Sequence, residues 1–212
     1  MHKEMTLAEV AREIHENAKA HGWWDEERET AEIYALIHSE WSEALEEYRA
    51  GRPDRWFFCI DDDKVGMCPN TACPLTPDVP CRYREPKPEG ICVELIDGVI
   101  RIFDYLGKTG GAEEYNEEAA DWYFEMIGEE GAAWTREVQE LAVPALVNRL
   151  HEETCDARKR YRTGDGAEND CLMEVITIAW QWIKGRGLDP MELLIEKHEY
   201  NKTRPYKHGK VC

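Results

Sequence analysis

Residues 36–51, LIHSEWSEALEEYRAG, carry the pattern that decides the fold. Apolar side chains recur at helical spacing along this stretch and just before it, at Ile33, Leu36, Ile37, Trp41, Ala44 and Tyr48. They form one face of an amphipathic helix, which we predict from about Thr30 to Ala50. Glu40 falls within that apolar face, and Glu43 falls at its edge. Because a carboxylate among core positions is costly unless a cation meets it, this helix predicts a charged partner opposite Glu40.

Length, charge and hydropathy exclude several classes of protein. The chain has 212 residues, which suits one domain with a substantial core. Its net charge of −18, from 44 acidic and 26 basic residues, disfavours duplex nucleic acid and anionic membrane surfaces as partners. The sequence contains no apolar run long enough to span a membrane, and its N-terminus lacks the apolar segment of a secretory signal. We therefore expect no membrane association and a cytoplasmic location.

Helical patterns dominate the rest of the chain, so the predicted fold class is all-α, a helical bundle in a single domain over residues 1–212. The helix that follows Gly90 and another near the C-terminal end are apolar almost all round, which predicts central positions. Pro144 interrupts or kinks a long pattern. Asp189 is predicted to cap the last helix, with Pro190 at its first position. Besides residues 30–50, the predicted helices cover about 6–21, 91–107, 113–130, 132–162, 168–185 and 190 onward.

The segment 52–90 differs from the rest, because it is rich in proline and cysteine and poor in aliphatic residues. Its stretch WFFCI predicts a short strand, which VPCRY could join as a small hairpin. Four cysteines, Cys59, Cys68, Cys73 and Cys81, are candidate ligands of a structural zinc ion. Their spacing does not match the paired CxxC of common zinc motifs, and free thiols are the alternative. We interpret the segment as an insert between two helices.

The sequence also contains an internal repeat. Residues 36–51 align with residues 149–164, RLHEETCDARKRYRTG. Identical residues coincide at His38/His151, Glu40/Glu153, Ala44/Ala157, Tyr48/Tyr161, Arg49/Arg162 and Gly51/Gly164. The two apolar helices align as well, with Glu94, Asp97, Arg101 and Asp104 on Glu174, Thr177, Gln181 and Lys184. The repeats, at about 27–112 with the insert and about 132–205, predict a pseudo-twofold bundle of two degenerate halves.

Two acidic pairs suggest a metal site. Glu40 and Glu43 lie three residues apart, and so do Glu94 and Asp97 on the second helix, so each pair lies on one helix face. If these faces meet, four carboxylates converge, and they would repel one another strongly without cations. Ligation by oxygen alone suits Mg²⁺, or Mn²⁺. Because Mg²⁺ held by few carboxylates commonly binds substrate phosphates, the pattern points to phosphoanhydride chemistry, with all four carboxylates as candidate catalytic and metal-binding residues.

Together with a basic C-terminal segment, KHEYNKTRPYKHGK, these motifs resemble the MazG-like all-α nucleoside triphosphate pyrophosphohydrolase superfamily, which includes the dimeric dUTPases. The resemblance implies Mg²⁺-dependent hydrolysis of a (deoxy)nucleoside triphosphate to monophosphate and pyrophosphate, as in nucleotide-pool sanitation. It also implies substrate-phosphate contacts from the basic segment, at Lys197, Asn201, Lys202, Arg204, Lys207 and His208. The cysteine-bearing insert and the degraded second repeat depart from the family pattern, and we expect one site per chain.

Several alternatives stay open at the level of sequence. Trp24, beside Trp23, either stacks on a base or staples two helices together. Arg101 either neutralises Asp104 or Asp97, or contacts a phosphate. The chain could instead be a non-catalytic, zinc-binding helical interaction module, or a nucleotide sensor. The second repeat can replace a dimer partner, or the chain can itself form a homodimer. The sequence does not identify the base or the sugar of the substrate.

Overall fold

The computed structural model describes residues 7–61, 64–67, 87–114, 129–164 and 166–209. Seven α-helices make up most of this described part, which confirms the predicted all-α class. They are α1 Leu7–Ala20, α2 Thr30–Arg49, α3 Ile91–Thr109, α4 Glu129–Gln139, α5 Val143–Thr163, α6 Glu168–Gly185 and α7 Pro190–Lys202. Short 3₁₀ segments cover Gly111–Glu114 and Tyr206–Gly209. Within the described ranges, none of the helices combines the length and apolarity needed to cross a membrane.

Between α2 and α3 in the chain, three short strands form a small antiparallel sheet. Its strands are β1 Trp56–Asp61, β2 Lys64–Met67 and β3 Lys87–Glu89, in the order β2-β1-β3. Phe58 is opposite Met67, and Trp56 is opposite Glu89. The strand predicted at WFFCI is therefore present, whereas its predicted partner VPCRY lies outside the described residues. The described partners are two segments that the sequence did not suggest.

The zinc prediction for the insert falls where the structure gives no side chains. Cys68, Cys73 and Cys81 lie outside the described residues, and only the backbone of Cys59 is described. Zinc at these four cysteines therefore stays a prediction. The end of the insert is described by the structure. There β3 leads directly into α3 and brings Lys87 and Glu89 close to the acidic residues of that helix.

Helix α3 lies at the centre of the core, as its apolar pattern predicted, and it packs most extensively on α2. Trp41 of α2 is fully buried against it. A Cβ atom on Gly98 would lie 2.2 Å from the Trp41 ring, so only glycine allows this close approach. The Trp41 indole N–H donates to Thr154 Oγ1 of α5 at 3.0 Å. One indole thus joins the two central helical pairs.

The contacts between α2 and α5 support the interpretation of a repeat. His38 contacts His151 and Trp41 contacts Thr154, and both pairs are 113 residues apart, which is the offset of the sequence alignment. Because residue numbers rise together along the two helices, α2 and α5 run parallel. In addition, α5 packs on α6 as α2 packs on α3. The glycines that follow α2 and α5, Gly51 and Gly164, both have a φ of 66°.

The outer helices cover the two pairs differently. Helices α1 and α7 pack on α3, whereas α4 packs on α6. The helical pattern over 132–162 is interrupted, since α4 ends at Gln139 and Pro144 lies in the first turn of α5, where its missing N–H has no cost. The predicted cap of the last helix is confirmed, because Asp189 Oδ1 accepts from the backbone N–H groups of Met191 and Glu192. The predicted helix over 113–130 lies mostly outside the described residues.

Candidate active site

The acidic residues predicted as metal ligands meet between α2 and α3. Glu40 and Glu94 are each 5% exposed, whereas Glu43 is exposed and accepts a hydrogen bond from Ser39 Oγ at 3.1 Å. One carboxylate oxygen from each of Glu40, Glu43 and Glu94 lies within 4.8 Å of the others. We call these three residues the acidic cluster. Their convergence follows from the i, i+3 spacing on α2 and from the close packing of α2 on α3.

Asp97, the fourth predicted ligand, lies beside the cluster in the same groove but is not one of its three members. Its Oδ2 atom is 2.9 Å from Nζ of Lys197, which is 1% exposed and also donates to the Pro88 carbonyl at 3.1 Å. Burial alone would lower the pKa of Lys197, but the charge of Asp97 and its hydrogen bond to the ammonium act in the opposite direction, and the pKa is raised. Lys197 therefore remains a cation inside the protein, and it faces the carboxylates.

The cation opposite Glu40 is Arg101, whose Nε–H donates to the Glu40 carboxylate. Arg101 was expected to neutralise Asp104 or Asp97, but the packing of α3 gives it a hydrogen bond to Glu40, and the charge of Asp97 acts on it only secondarily. Arg101 also lines the groove, together with Asp97 and Asp104. It therefore holds a member of the acidic cluster and at the same time presents positive charge at the groove surface.

Burial makes the acidic cluster hard to ionise fully. It raises the pKa of Glu40, although Arg101 acts in the opposite direction. Burial, and secondly the charge of Asp97, raise the pKa of Glu94 to about 9. At neutral pH, Glu94 is therefore protonated in the metal-free protein. A metal ion that binds here must displace this proton, which couples cation binding to pH.

Of the two roles considered for Trp24, stacking on a base does not fit its position. Its indole N–H donates to Asp104 Oδ1 at 2.8 Å, and the same oxygen is 2.7 Å from Nδ1 of His15. Trp23, and not Trp24, lines the groove. Trp24 therefore joins the α1–α2 connection to α3, as expected if the two tryptophans staple the helices together. Trp23 provides the aromatic surface of the groove.

One wall of the groove comes from α1 and from the chain that follows it. This wall consists of Ile14, Asn17, Ala18, Trp23 and Arg28. Further lining residues come from α7 and the residues after it, with His198, Asn201 and Arg204, and from β3, with Lys87. Basic and aromatic side chains thus surround an acidic floor. Such a groove can bind a metal ion at the floor and an anionic, ring-bearing ligand above it.

The basic C-terminal segment contributes only in part to this groove. Asn201 and Arg204 line it, and the Arg204 side chain is half-buried. Lys202 instead binds Glu13 and Glu199. Lys207 lies outside the groove lining, with its backbone N–H donating to the His21 carbonyl. The side chain of His208 lies outside the described residues.

Two buried polar side chains on α7 have unsatisfied atoms at the groove. Both ring nitrogens of His198 and Oδ1 of Asn201 lack hydrogen-bond partners among the described residues, although the side chains are only 7% and 8% exposed. The Glu13 carboxylate is the acidic neighbour of His198, with its Oε1 atom 3.7 Å from Nε2, beyond hydrogen-bond distance. Unsatisfied buried polar atoms are costly, and a bound ligand is one way of satisfying them. Sequence reasoning missed His198, and it also missed Asn17, a polar residue beside the apolar face of α1.

Comparison of the chain with protein-family models, with curated proteins and with solved structures finds no match in any of the three. The interpretation of this groove therefore depends on its own geometry and chemistry.

Proposed function

We propose that the chain is a Mg²⁺-dependent nucleoside triphosphate pyrophosphohydrolase, which converts a (deoxy)nucleoside triphosphate to the monophosphate and pyrophosphate. The observation that carries the proposal is the convergence of Glu40, Glu43 and Glu94 within 4.8 Å at the floor of a groove with basic walls. The resemblance of the motifs to the MazG-like superfamily also supports this proposed activity.

The donor set fits Mg²⁺ or Mn²⁺. Glu40, Glu43 and Glu94 offer carboxylate oxygens only, and hard divalent cations prefer such ligands. Asp97 stands beside them and can join the set if Lys197 releases it. When bound, Mg²⁺ supplies charge neutralisation and polarises a phosphoryl oxygen. An anionic substrate could thereby approach a protein whose net charge is −18.

The groove residues suggest how a nucleotide would lie. Arg101, Arg204 and Lys87 line the groove and offer positive charge to phosphate oxygens. Trp23 offers an aromatic surface at the α1 side, and Asn17 and Asn201 offer amide groups for a polar ring or a sugar. The phosphates would therefore point to the acidic cluster, and the nucleoside would lie between α1 and α7.

Hydrolysis requires a water molecule to bond to phosphorus while the bridging P–O bond breaks and pyrophosphate leaves. Glu43 is the exposed member of the acidic cluster, so it is the carboxylate best placed to accept the proton of that water. Glu40 and Asp97 are held by Arg101 and Lys197, which fix their side chains. These two cations act as positioning residues for the carboxylates.

The test is a panel of nucleoside and deoxynucleoside triphosphates with Mg²⁺, in which monophosphate and pyrophosphate are both measured. We expect turnover of at least one nucleotide, abolished by chelation of the metal and by Glu40→Gln or Asp97→Asn in folded protein. Undiminished turnover in both variants would refute the assignment of the site. Nucleotide binding without turnover by the wild-type chain would instead make the protein a nucleotide sensor.

A further inference from the structure

A further carboxylate, that of Asp104, lies in the groove at a distance from the acidic cluster. Asp104 lines the groove, and its side chain is 14% exposed. It follows Glu94 by ten residues on α3, which places it about 15 Å further along the helix axis. It is not among the carboxylates that converge within 4.8 Å. Metal binding at the acidic cluster therefore does not account for Asp104.

Two side chains hold the Asp104 carboxylate by one of its oxygens. The Trp24 indole N–H donates to Oδ1 at 2.8 Å, and Nδ1 of His15 lies 2.7 Å from the same oxygen. Neither Trp24 nor His15 lines the groove, so Oδ1 is engaged on the side away from it. Oδ2 has no hydrogen-bond partner among the described residues. The carboxylate is thus fixed in orientation, with one acceptor oxygen left for the groove.

Charge decides which end of a nucleotide can lie beside Asp104. A carboxylate repels phosphate oxygens, and Arg101, one turn earlier on α3, is bound to Glu40. The phosphates belong with the metal at the acidic cluster, so the base, at the other end of the molecule, is the part that extends towards Asp104. An aromatic surface is close by, because the Arg28 guanidinium lies near the rings of both Trp23 and Trp24.

We propose that Asp104 contacts the edge of the base and selects nucleotides whose base carries an exocyclic amino group, namely adenine, cytosine or guanine. This inference rests on the proposed nucleotide site. The free oxygen of Asp104 accepts an amino N–H, which is how carboxylates recognise cytosine in nucleic acids. Uracil and thymine offer only a ring N–H between two carbonyl oxygens, and those oxygens repel a carboxylate. Asp104 therefore attracts one class of base and disfavours the other.

The hydrogen bonds of Asp104 make one substitution especially informative. An indole N–H can only donate, so in Asp104→Asn the amide oxygen must face Trp24, and the amide NH₂ group must face the groove. The variant has nearly the same shape as wild type, but it presents a donor where wild type presents an acceptor. We therefore expect its preference to shift towards bases with a carbonyl group.

The experiment titrates the full chain with nucleotides in a calorimeter, with Ca²⁺ in place of Mg²⁺ so that binding is measured without turnover. The probes are three pairs, dCTP with dUTP, dATP with dITP, and dGTP with dITP, in which only the first member carries an amino group. In at least one pair, wild type should bind the amino-bearing member about tenfold more tightly or better, and Asp104→Asn should reduce that ratio by a similar factor. The ratio within a pair cancels any general loss of affinity.

Two further variants test whether the effect belongs to the oriented carboxylate. Trp24→Phe keeps an aromatic ring but removes a donor to Oδ1, so it should weaken the preference without reversing it. Asp156→Asn makes the same chemical change at an exposed residue outside the groove, and it should leave all ratios unchanged.

The possible failures of the two proposals can be told apart. Binding without a preference in any pair, or a preference that Asp104→Asn leaves intact, overturns the role of Asp104 alone. An equal loss for both members of every pair would mean that Asp104 contacts the sugar, and it also overturns that role. No binding of any probe by wild type overturns both proposals. A base preference that depends on Asp104, without turnover of any nucleotide in Mg²⁺, overturns only the hydrolase.

Discussion

Glu40, Glu43 and Glu94 in the first helical pair, α2 with α3, have Glu153, Asp156 and Glu174 at the aligned positions of the second pair, α5 with α6. Both pairs therefore present three carboxylates on the same scaffold. Burial, and then the charge of Glu174, raise the pKa of Glu153 as well. The two regions differ in what surrounds these carboxylates.

In the first pair, two cations meet the acidic residues, the half-buried Arg101 and the buried Lys197. Arg101 donates to Glu40, and Lys197 from α7 binds Asp97. In the second pair, the position of Arg101 is occupied by the uncharged Gln181, and that of Asp97 by Thr177, whose Oγ1 donates to the Met173 carbonyl at 2.8 Å. The covering helices differ too, with α1 and α7 over the first pair and α4 over the second. Among the described residues, moreover, only Glu40, Glu43 and Glu94 bring carboxylate oxygens within 4.8 Å of one another, so the aligned acids of the second pair match the proposed site neither in spacing nor in surroundings.

The largest effect should come from Glu43, for which the aligned residue of the second half, Asp156, gives a matched control. Glu43→Gln removes a proposed metal ligand and proton acceptor, and we expect kcat/KM for the preferred nucleotide to fall roughly 10²- to 10³-fold, the usual cost of losing one preorganised charge-stabilising group. The matched change Asp156→Asn should leave kcat/KM within about twofold of wild type. Equal losses in both variants would mean that both halves carry working sites.

A second test of the comparison gives the second half a carboxylate at the position that aligns with Asp97. Thr177→Asp places a carboxylate at a buried position, because Thr177 is only 2% exposed. In the first half, the aligned residue Asp97 is paired with Lys197. The threonine that is replaced has no such cationic partner among the described residues. We expect the free energy of unfolding to fall by about 3 kcal/mol, or roughly 6–12 °C in melting temperature. The isosteric Thr177→Val should cost about 1 kcal/mol or less. A fully stable Thr177→Asp protein would show that the second half can accept the charge.

A third prediction concerns Arg204, the basic residue that follows α7 and lines the groove of the first pair. Arg204→Ala should raise KM about 10-fold, the value of a charge-assisted contact, with a smaller effect on kcat. Lys202→Ala is the control two residues earlier, because Lys202 binds Glu13 and Glu199 outside the groove lining. Steady-state kinetics of both variants measures the difference. If Lys202→Ala raises KM as strongly as Arg204→Ala, the orientation proposed for the phosphates is wrong.

The smallest effect concerns stability and pH. The pKa of Glu94 is about 9 in the folded protein, against 4.5 as its ordinary value, so the protonated carboxyl favours the folded state. That contribution is complete at low pH and is lost as pH rises towards 9. Metal-free Glu94→Gln has no such proton to lose, and at about pH 8 it should melt roughly 3 °C or more above wild type, with a smaller difference near pH 5.

The aligned change in the second half is the control for this pH effect. Glu174→Gln, at a half-buried position, should follow the wild-type melting curve at both pH values. Saturating Mg²⁺ should remove the advantage of Glu94→Gln, because the ion replaces the proton in the wild-type protein. A pH-independent difference between wild type and Glu94→Gln would show that Glu94 is ionised throughout.

The sequence predicted those parts of the site that depend on one helix alone. Glu40 within an apolar face, and the acidic stripe on α3, were visible because helical periodicity fixes which residues share a face. The cap at Asp189 was visible because its hydrogen bonds are local. The fold class followed from the same periodicity.

Contacts between elements could not be predicted in the same way. On α3 alone, the candidates for pairing with Arg101 are Asp97 and Asp104, and the choice of Glu40 depends on how α3 rotates against α2. Which of Trp23 and Trp24 lines the groove depends on the conformation of a turn. His198 gave no signal, because a histidine in a basic tail looks like a solvated residue until α7 is placed over α3.

The parallel contact of α2 with α5 has a consequence for synthesis on the ribosome. Trp41 can contact Thr154 only after a further 113 residues have been made, which takes about 6–23 s at ordinary rates of translation. During that time the face of α2 that α5 will cover has no partner from the same chain, and the insert and α3 emerge in between. Closure of the core is therefore a late event for the nascent chain, and the interval is a time when chaperones would be expected to bind.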